Sequence, residues 1–135
     1  LVIKHHRLLH LKSGDKIIKT YTIALGQEPI GPKEFEGDNK TPEGEYIIYD
    51  KSAESEFHKS LGISYPNELE KEKASKHGKE PGGQIRIHGF KNDFIGDQTE
   101  GKKLNWTAGC IAVTNAEMDE IYELVEVGIP IFINK

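Results

Sequence analysis

The sequence contains one cysteine, Cys110, at the end of the run Trp106-Thr107-Ala108-Gly109-Cys110, and six histidines. A thiol attacks a carbonyl as its thiolate, and an ordinary pKa of about 8.5 leaves a few per cent in that form at neutral pH. A hydrogen-bonded imidazole raises the fraction. His88 is the candidate, at the C-terminal end of Gln84-Ile85-Arg86-Ile87-His88, where Gly89 lets the chain leave sharply. Gly109 allows close backbone approach to a substrate, with amides turned inward to stabilise a thiolate and a tetrahedral oxyanion. These types permit acyl transfer by a Cys–His pair. They equally permit an inert buried thiol and a structural histidine, and the residues alone leave both readings open.

Other side chains compete for attention. Tyr65 and Trp106 are candidate substrate contacts, although aromatics more often pack into cores. His5, His6 and His10 invite a metal reading. They are expected on an extended segment with His5 and His6 facing opposite sides, and no ligand spacing accompanies them. His58 and His77 fall in an irregular central segment without a motif.

The elements that must position these residues read as mainly β. Leu9 and Leu11 precede the turn Lys12-Ser13-Gly14-Asp15, after which Ile17, Tyr21, Ile23 and Leu25 alternate as one buried face of a hairpin. Residues 26–42 form a loop rich in Gly, Pro and charge, and Tyr46-Ile47-Ile48-Tyr49 is the next strand. Residues 52–83 are the least regular part, read as a candidate lid, with a charged stretch at 68–79 suited to a short helix. Residues 90–106 read as a polar loop. After the short apolar Cys110-Ile111-Ala112-Val113, Thr114 and Glu117 have capping-box spacing, and Met118, Ile121, Tyr122 and Val125 follow the helical repeat. Gly128 stops that helix, and 129–133 make a last strand.

Bulk properties set the bounds. A chain of 135 residues, 36% hydrophobic and 30% charged, suits one domain over residues 1–135. A net charge of -4, with acidic and basic residues interleaved, argues against nucleic acid as a partner. No apolar run is long enough to span a membrane, and one cysteine excludes an internal disulfide. Leu1 is no initiator methionine, so any signal peptide or anchor is expected in a preceding segment.

Ile87-His88-Gly89, a loop, then Thr107-Ala108-Gly109-Cys110-Ile111 resembles the signature of the L,D-transpeptidase (YkuD-type) catalytic domain. The similarity covers nearly the whole chain. Residues 21–26, 37–44, Ile63-Ser64-Tyr65-Pro66-Asn67 and 106–115 look most like the YafK-like branch. The resemblance implies a β-sandwich or distorted barrel of mixed strands, with one clear helix after the cysteine and room for a short second one. It implies a periplasmic or otherwise extracytoplasmic enzyme acting on peptidoglycan stem peptides, with no metal or organic cofactor. Cys110 would form an acyl-thioester, with His88 as base and then acid, and the Gly89 carbonyl orienting the imidazole. Amides around Ala108, Gly109 and Cys110 would form the oxyanion hole.

Two departures stand out. Ala108 occupies a position where many family members have a second histidine, and Ala112 one where they have arginine. Neither is the nucleophile or base. Acceptor recognition is another matter: the YafK-like branch includes members associated with cleaving peptidoglycan links, so water as acceptor, giving a hydrolytic amidase, L,D-carboxypeptidase or endopeptidase, stands as the alternative to transpeptidation. A non-catalytic peptidoglycan-binding domain is the alternative from another class, and a slow-reacting Cys110 thiol is its expected sign.

Overall fold

A computed structural model describes residues 1–135. In chain order the elements are β1 (Val2–Ile3), β2 (Leu8–Ser13), β3 (Lys16–Thr22), β4 (Gly44–Ser55), β5 (His58–Ile63), α1 (Glu68–Lys76), β6 (Arg86–His88), α2 (Gln98–Gly101), β7 (Ile111–Ala112), α3 (Asn115–Leu124) and β8 (Pro130–Asn134). The strands form one mixed sheet ordered β3-β2-β1-β8-β4-β5-β6-β7. Its two edges meet: Ala24, just beyond β3, exchanges both backbone hydrogen bonds with Ala112 of β7 at 2.8 and 3.0 Å. This closure curls the sheet into the expected distorted barrel. No helix is long and apolar enough to cross a membrane.

The expected hairpin is β2–β3, with one difference. A register shift between Leu11 and Lys12 breaks the alternation, so Ile17 is 48% exposed while Tyr21, Ile23 and Leu25 are buried. Bulges of this kind leave no signature in apolar spacing. Helix α3 begins as its sequence dictates: the Thr114 side chain accepts from Glu117 N and the Glu117 carboxylate from Thr114 N. Lys102 Nζ donates to both Glu117 oxygens at 2.8 Å, fixing the same turn from outside. Met118 and Ile121 are fully buried against the sheet.

Three readings are corrected. Residues 52–83 are not irregular: they finish β4, supply β5 in the interior of the sheet, and then form α1 behind an Asn67 capping box. The loop at 90–106 contains α2, capped by Asp97, giving three helices rather than one or two. His5 and His6 lie in the turn between β1 and β2, not on an extended strand. His10 meets Thr20 across the β2–β3 pair at 2.8 Å.

Candidate active site

Strands β5, β6 and β7 run side by side, with Leu61, Ile87 and Ile111 in one row and Ser60, His88 and Ala112 in the next. Side chains alternate faces along each strand. The first row, together with Ile63, Ile85 and Val113, belongs to the hydrophobic core beneath α3. The second row lies on the opposite face. Arg86 and Cys110 immediately precede the paired Ile87 and Ile111, so both join His88 on that second face. The separation of Cys110 and His88 in sequence is thus erased by one parallel strand pair.

His88 is held on three sides. Its Nδ1 lies 2.7 Å from the Gly89 carbonyl oxygen. That oxygen can accept but not donate, so Nδ1 carries the proton and the neutral ring leaves Nε2 with its lone pair free. Phe57, at the tip of the β4–β5 hairpin, stacks on the imidazole at 4.4 Å between centroids, and Trp106 lies at 5.8 Å. Phe90 packs on Trp106 in turn, with its amide fixed by the Asn115 side chain at the start of α3. Burial pushes the His88 pKa below its ordinary value; the Gly89 carbonyl opposes this and the Arg86 charge adds to it. Burial thus favours the neutral imidazole, the form able to accept a proton.

Cys110 sits where the loop turns into β7. Its sulfur receives the Arg86 amide at 3.4 Å and lies 3.4 Å from the Gln84 carbonyl oxygen. Burial raises the thiol pKa, against the Arg86 amide and the positive charges of Arg86 and Lys33. Burial thus disfavours the charged form of both groups, thiolate and imidazolium alike.

Thr107 shapes the approach to the sulfur. Its hydroxyl donates to the Cys110 carbonyl at 2.6 Å and accepts from Gly109 N at 3.1 Å. Gly109 has φ of +140°, and a Cβ there would lie 2.7 Å from the Lys40 carbonyl oxygen. Both conditions require glycine. The Gly109 amide is thus engaged within the turn, while the amides of Ala108 and Cys110 make no hydrogen bond within the chain. Ala108 is exposed and Ala112 fully buried.

The loop at 26–42 backs this turn. Gly26 N donates to the buried Thr41 hydroxyl at 3.0 Å, and Lys4 Nζ reaches the carbonyls of Gly31 and Thr41 and the Glu43 carboxylate. Burial raises the Asp38 pKa, but the amides of Glu34, Phe35 and Lys40 with the Lys33 ammonium hold it to about 2. These bonds fix Lys33 near the site.

Of the remaining expected contacts, Trp106 joins the His88 cage. Tyr65 goes elsewhere: its ring is in the core, edge-on to Tyr46, and its hydroxyl donates to the Pro81 carbonyl at 2.8 Å. His58 pairs with Asp119 at 2.6 Å, and His77 reaches back to the Lys73 carbonyl at the end of α1. The sequence reading missed Phe57 and Arg86, which meet His88 and the Cys110 sulfur. Arg86 had a signal, since it lies two residues before His88 on the same strand; a turn residue such as Phe57 had none. An apolar groove of about 660 Å³ between β2, β8 and α3, lined by Leu9, Leu124, Pro130 and Phe132 among others, includes neither Cys110 nor His88.

Comparison with known proteins agrees with this fold. Residues 1–133 match the family model for the L,D-transpeptidase catalytic domain, YkuD. YafK of Escherichia coli (strain K12), itself provisionally named an L,D-transpeptidase, is 31% identical over 121 residues, covering 87% of this chain and 42% of that protein. The helical cell shape determining protein Pgp2 from Campylobacter jejuni has a crystal structure similar at a TM-score of 0.74 and 24% identity, covering 99% of this chain and 46% of that one. An L,D-transpeptidase from Mycobacterium smegmatis shares the fold at a TM-score of 0.63 and 14% identity, covering 99% and 57%. The chain thus spans less than half the length of YafK and of Pgp2. By its family match, this chain belongs to the L,D-transpeptidase catalytic domain family.

Proposed function

We propose that this chain is the catalytic part of a peptidoglycan-modifying enzyme that acylates Cys110 with a stem peptide in an extracytoplasmic compartment. One observation carries this reading: the Gly89 carbonyl fixes the His88 tautomer that leaves Nε2 as a base, on the sheet face that also bears Cys110. Nε2 takes the thiol proton as sulfur attacks the carbonyl preceding a terminal D-amino acid. The unengaged amides of Ala108 and Cys110 are the donors for the oxyanion. The carbon–nitrogen bond then breaks, the imidazolium returns its proton to the leaving amine, and a thioester remains on Cys110. An acceptor amine resolves it by transpeptidation; water resolves it by hydrolysis. The family match to L,D-transpeptidases and the likeness to a cell shape determining protein support peptidoglycan as the substrate.

The test is mass spectrometry of products from a defined muropeptide, with and without an acceptor amine. Transpeptidation gives a new amide when the amine is present, and hydrolysis gives the shortened peptide in both samples. Cys110→Ala is expected to give neither. Full turnover by that variant would refute the mechanism.

A further inference from the structure

The polar face of the sheet carries a charged pair, Arg86 with Asp50, to which the proposed acyl transfer assigns no step. Arg86 of β6 is paired with Gly62 of β5, which is paired with Asp50 of β4. Across this row the Arg86 guanidinium donates from one terminal nitrogen to Asp50 at 2.6 Å and from Nε to Ser60 Oγ at 2.8 Å.

Two local features make the crossing possible. Ile48 points into the core, and ordinary alternation would send Asp50 there too; the irregularity between them turns Asp50 to the opposite face. Gly62 then leaves the strand open beneath the pair, because a Cβ there would collide with the Asp50 carboxylate and the Tyr49 ring. An arginine side chain is long and flexible. Here it is mostly buried, 17% exposed, and held by bonds to two strands.

We propose that Arg86 is a positioning residue for Cys110: its main-chain amide meets the sulfur, and its guanidinium, fixed across Gly62 by Asp50 and Ser60, supplies a stationary positive charge that favours the thiolate. Asp50 has two opposing effects in this arrangement, holding the guanidinium in place and partly neutralising it. The other charged or titratable groups bearing on Cys110 are Lys33 from the 26–42 loop, itself paired with Asp38, and His88 from β6. Burial works against ionisation of the thiol, so a fixed cation on this face matters when sulfur becomes the nucleophile.

The proposal rests on Cys110 being the nucleophile, yet its test requires no substrate. The rate of iodoacetamide alkylation of Cys110 is followed against pH in the parent chain, Arg86→Gln and Asp50→Asn, with thermal unfolding run on each. Arg86→Gln keeps the backbone amide and removes the charge, so the alkylation midpoint is expected to rise by about one pH unit, an approximately tenfold loss of rate below it. Asp50→Asn keeps a hydrogen-bond acceptor and removes the neutralising charge, so the midpoint is expected to fall. Opposite directions in the two variants support a charge-setting role. Equal directions, or no change in either, overturn it in favour of a merely structural pair. Should Arg86→Gln fail to fold, Asp50→Asn decides: a lowered midpoint supports the proposal and an unchanged or raised one overturns it. If muropeptides are not turned over while the midpoints move as expected, Arg86 still sets the thiol and the proposed function is what fails.

Discussion

The two faces of strands β5 to β7 are built from the same short stretches of chain yet depend on different physics. One face presents Leu61, Ile87 and Ile111 to the core, where shape and volume decide. The other presents Ser60, Arg86, His88 and Cys110, where individual hydrogen bonds at 2.6–3.4 Å and a few charges decide. Period-2 alternation lets a strand of three residues serve both purposes. Stability and chemistry are therefore adjacent in sequence and separable by mutation.

The largest expected contrast comes from His88 and Leu61. His88→Gln removes the base while keeping a polar side chain, and turnover is expected to fall by about 10²–10⁴-fold, with melting changed far less. Leu61→Ala on the core face is expected to cost about 2–5 kcal/mol in denaturant unfolding and to leave turnover per folded molecule near the parent value. Equal loss of turnover in both would mean that the two faces are not independent.

A smaller effect concerns pH. The folded-state pKa of His88 lies below its unfolded value of about 6.5. Between those two values the unfolded chain binds a proton that the folded chain does not, so stability falls as pH drops below about 6.5. The slope from this one group approaches about 1.4 kcal/mol per pH unit. Urea unfolding of the parent and of His88→Gln between pH 7 and 5, as test conditions spanning that range, should differ by this component. Identical slopes would show that the imidazole is not held neutral.

The smallest effect is at Trp106. Its indole nitrogen is buried without a hydrogen-bond partner in the chain, so Trp106→Phe loses no bond. Stability is expected to change by less than about 1 kcal/mol, while the looser cage around His88 lowers turnover. Thermal melting and a muropeptide assay on the same sample separate the two outcomes.

Much of this was legible in the sequence, for identifiable reasons. The capping box of α3 is local chemistry, and Thr114 with Glu117 announces it without tertiary help. His88 at a strand end and Cys110 behind a glycine were readable as candidates, and the whole-chain resemblance joined them. The register shifts were not readable. A bulge exposes Ile17 and another turns Asp50 away from the core, and nothing in apolar spacing marks either place. Tyr65 illustrates the opposite error, because an aromatic beside a motif reads the same whether it meets substrate or, as here, packs against Tyr46. Phe57 reaches His88 through a hairpin turn, a contact that depends wholly on tertiary pairing.

The central claim is that an acyl group is carried on Cys110. Intact-protein mass spectrometry after incubation with a carbapenem-type acylating inhibitor, followed by peptide mapping, tests it most directly. The account predicts one added acyl mass on the parent chain, located on the peptide containing Cys110, none on Cys110→Ala, and slow formation on His88→Gln. An adduct on Cys110→Ala, or a parent chain that stays unmodified while folded, would contradict it.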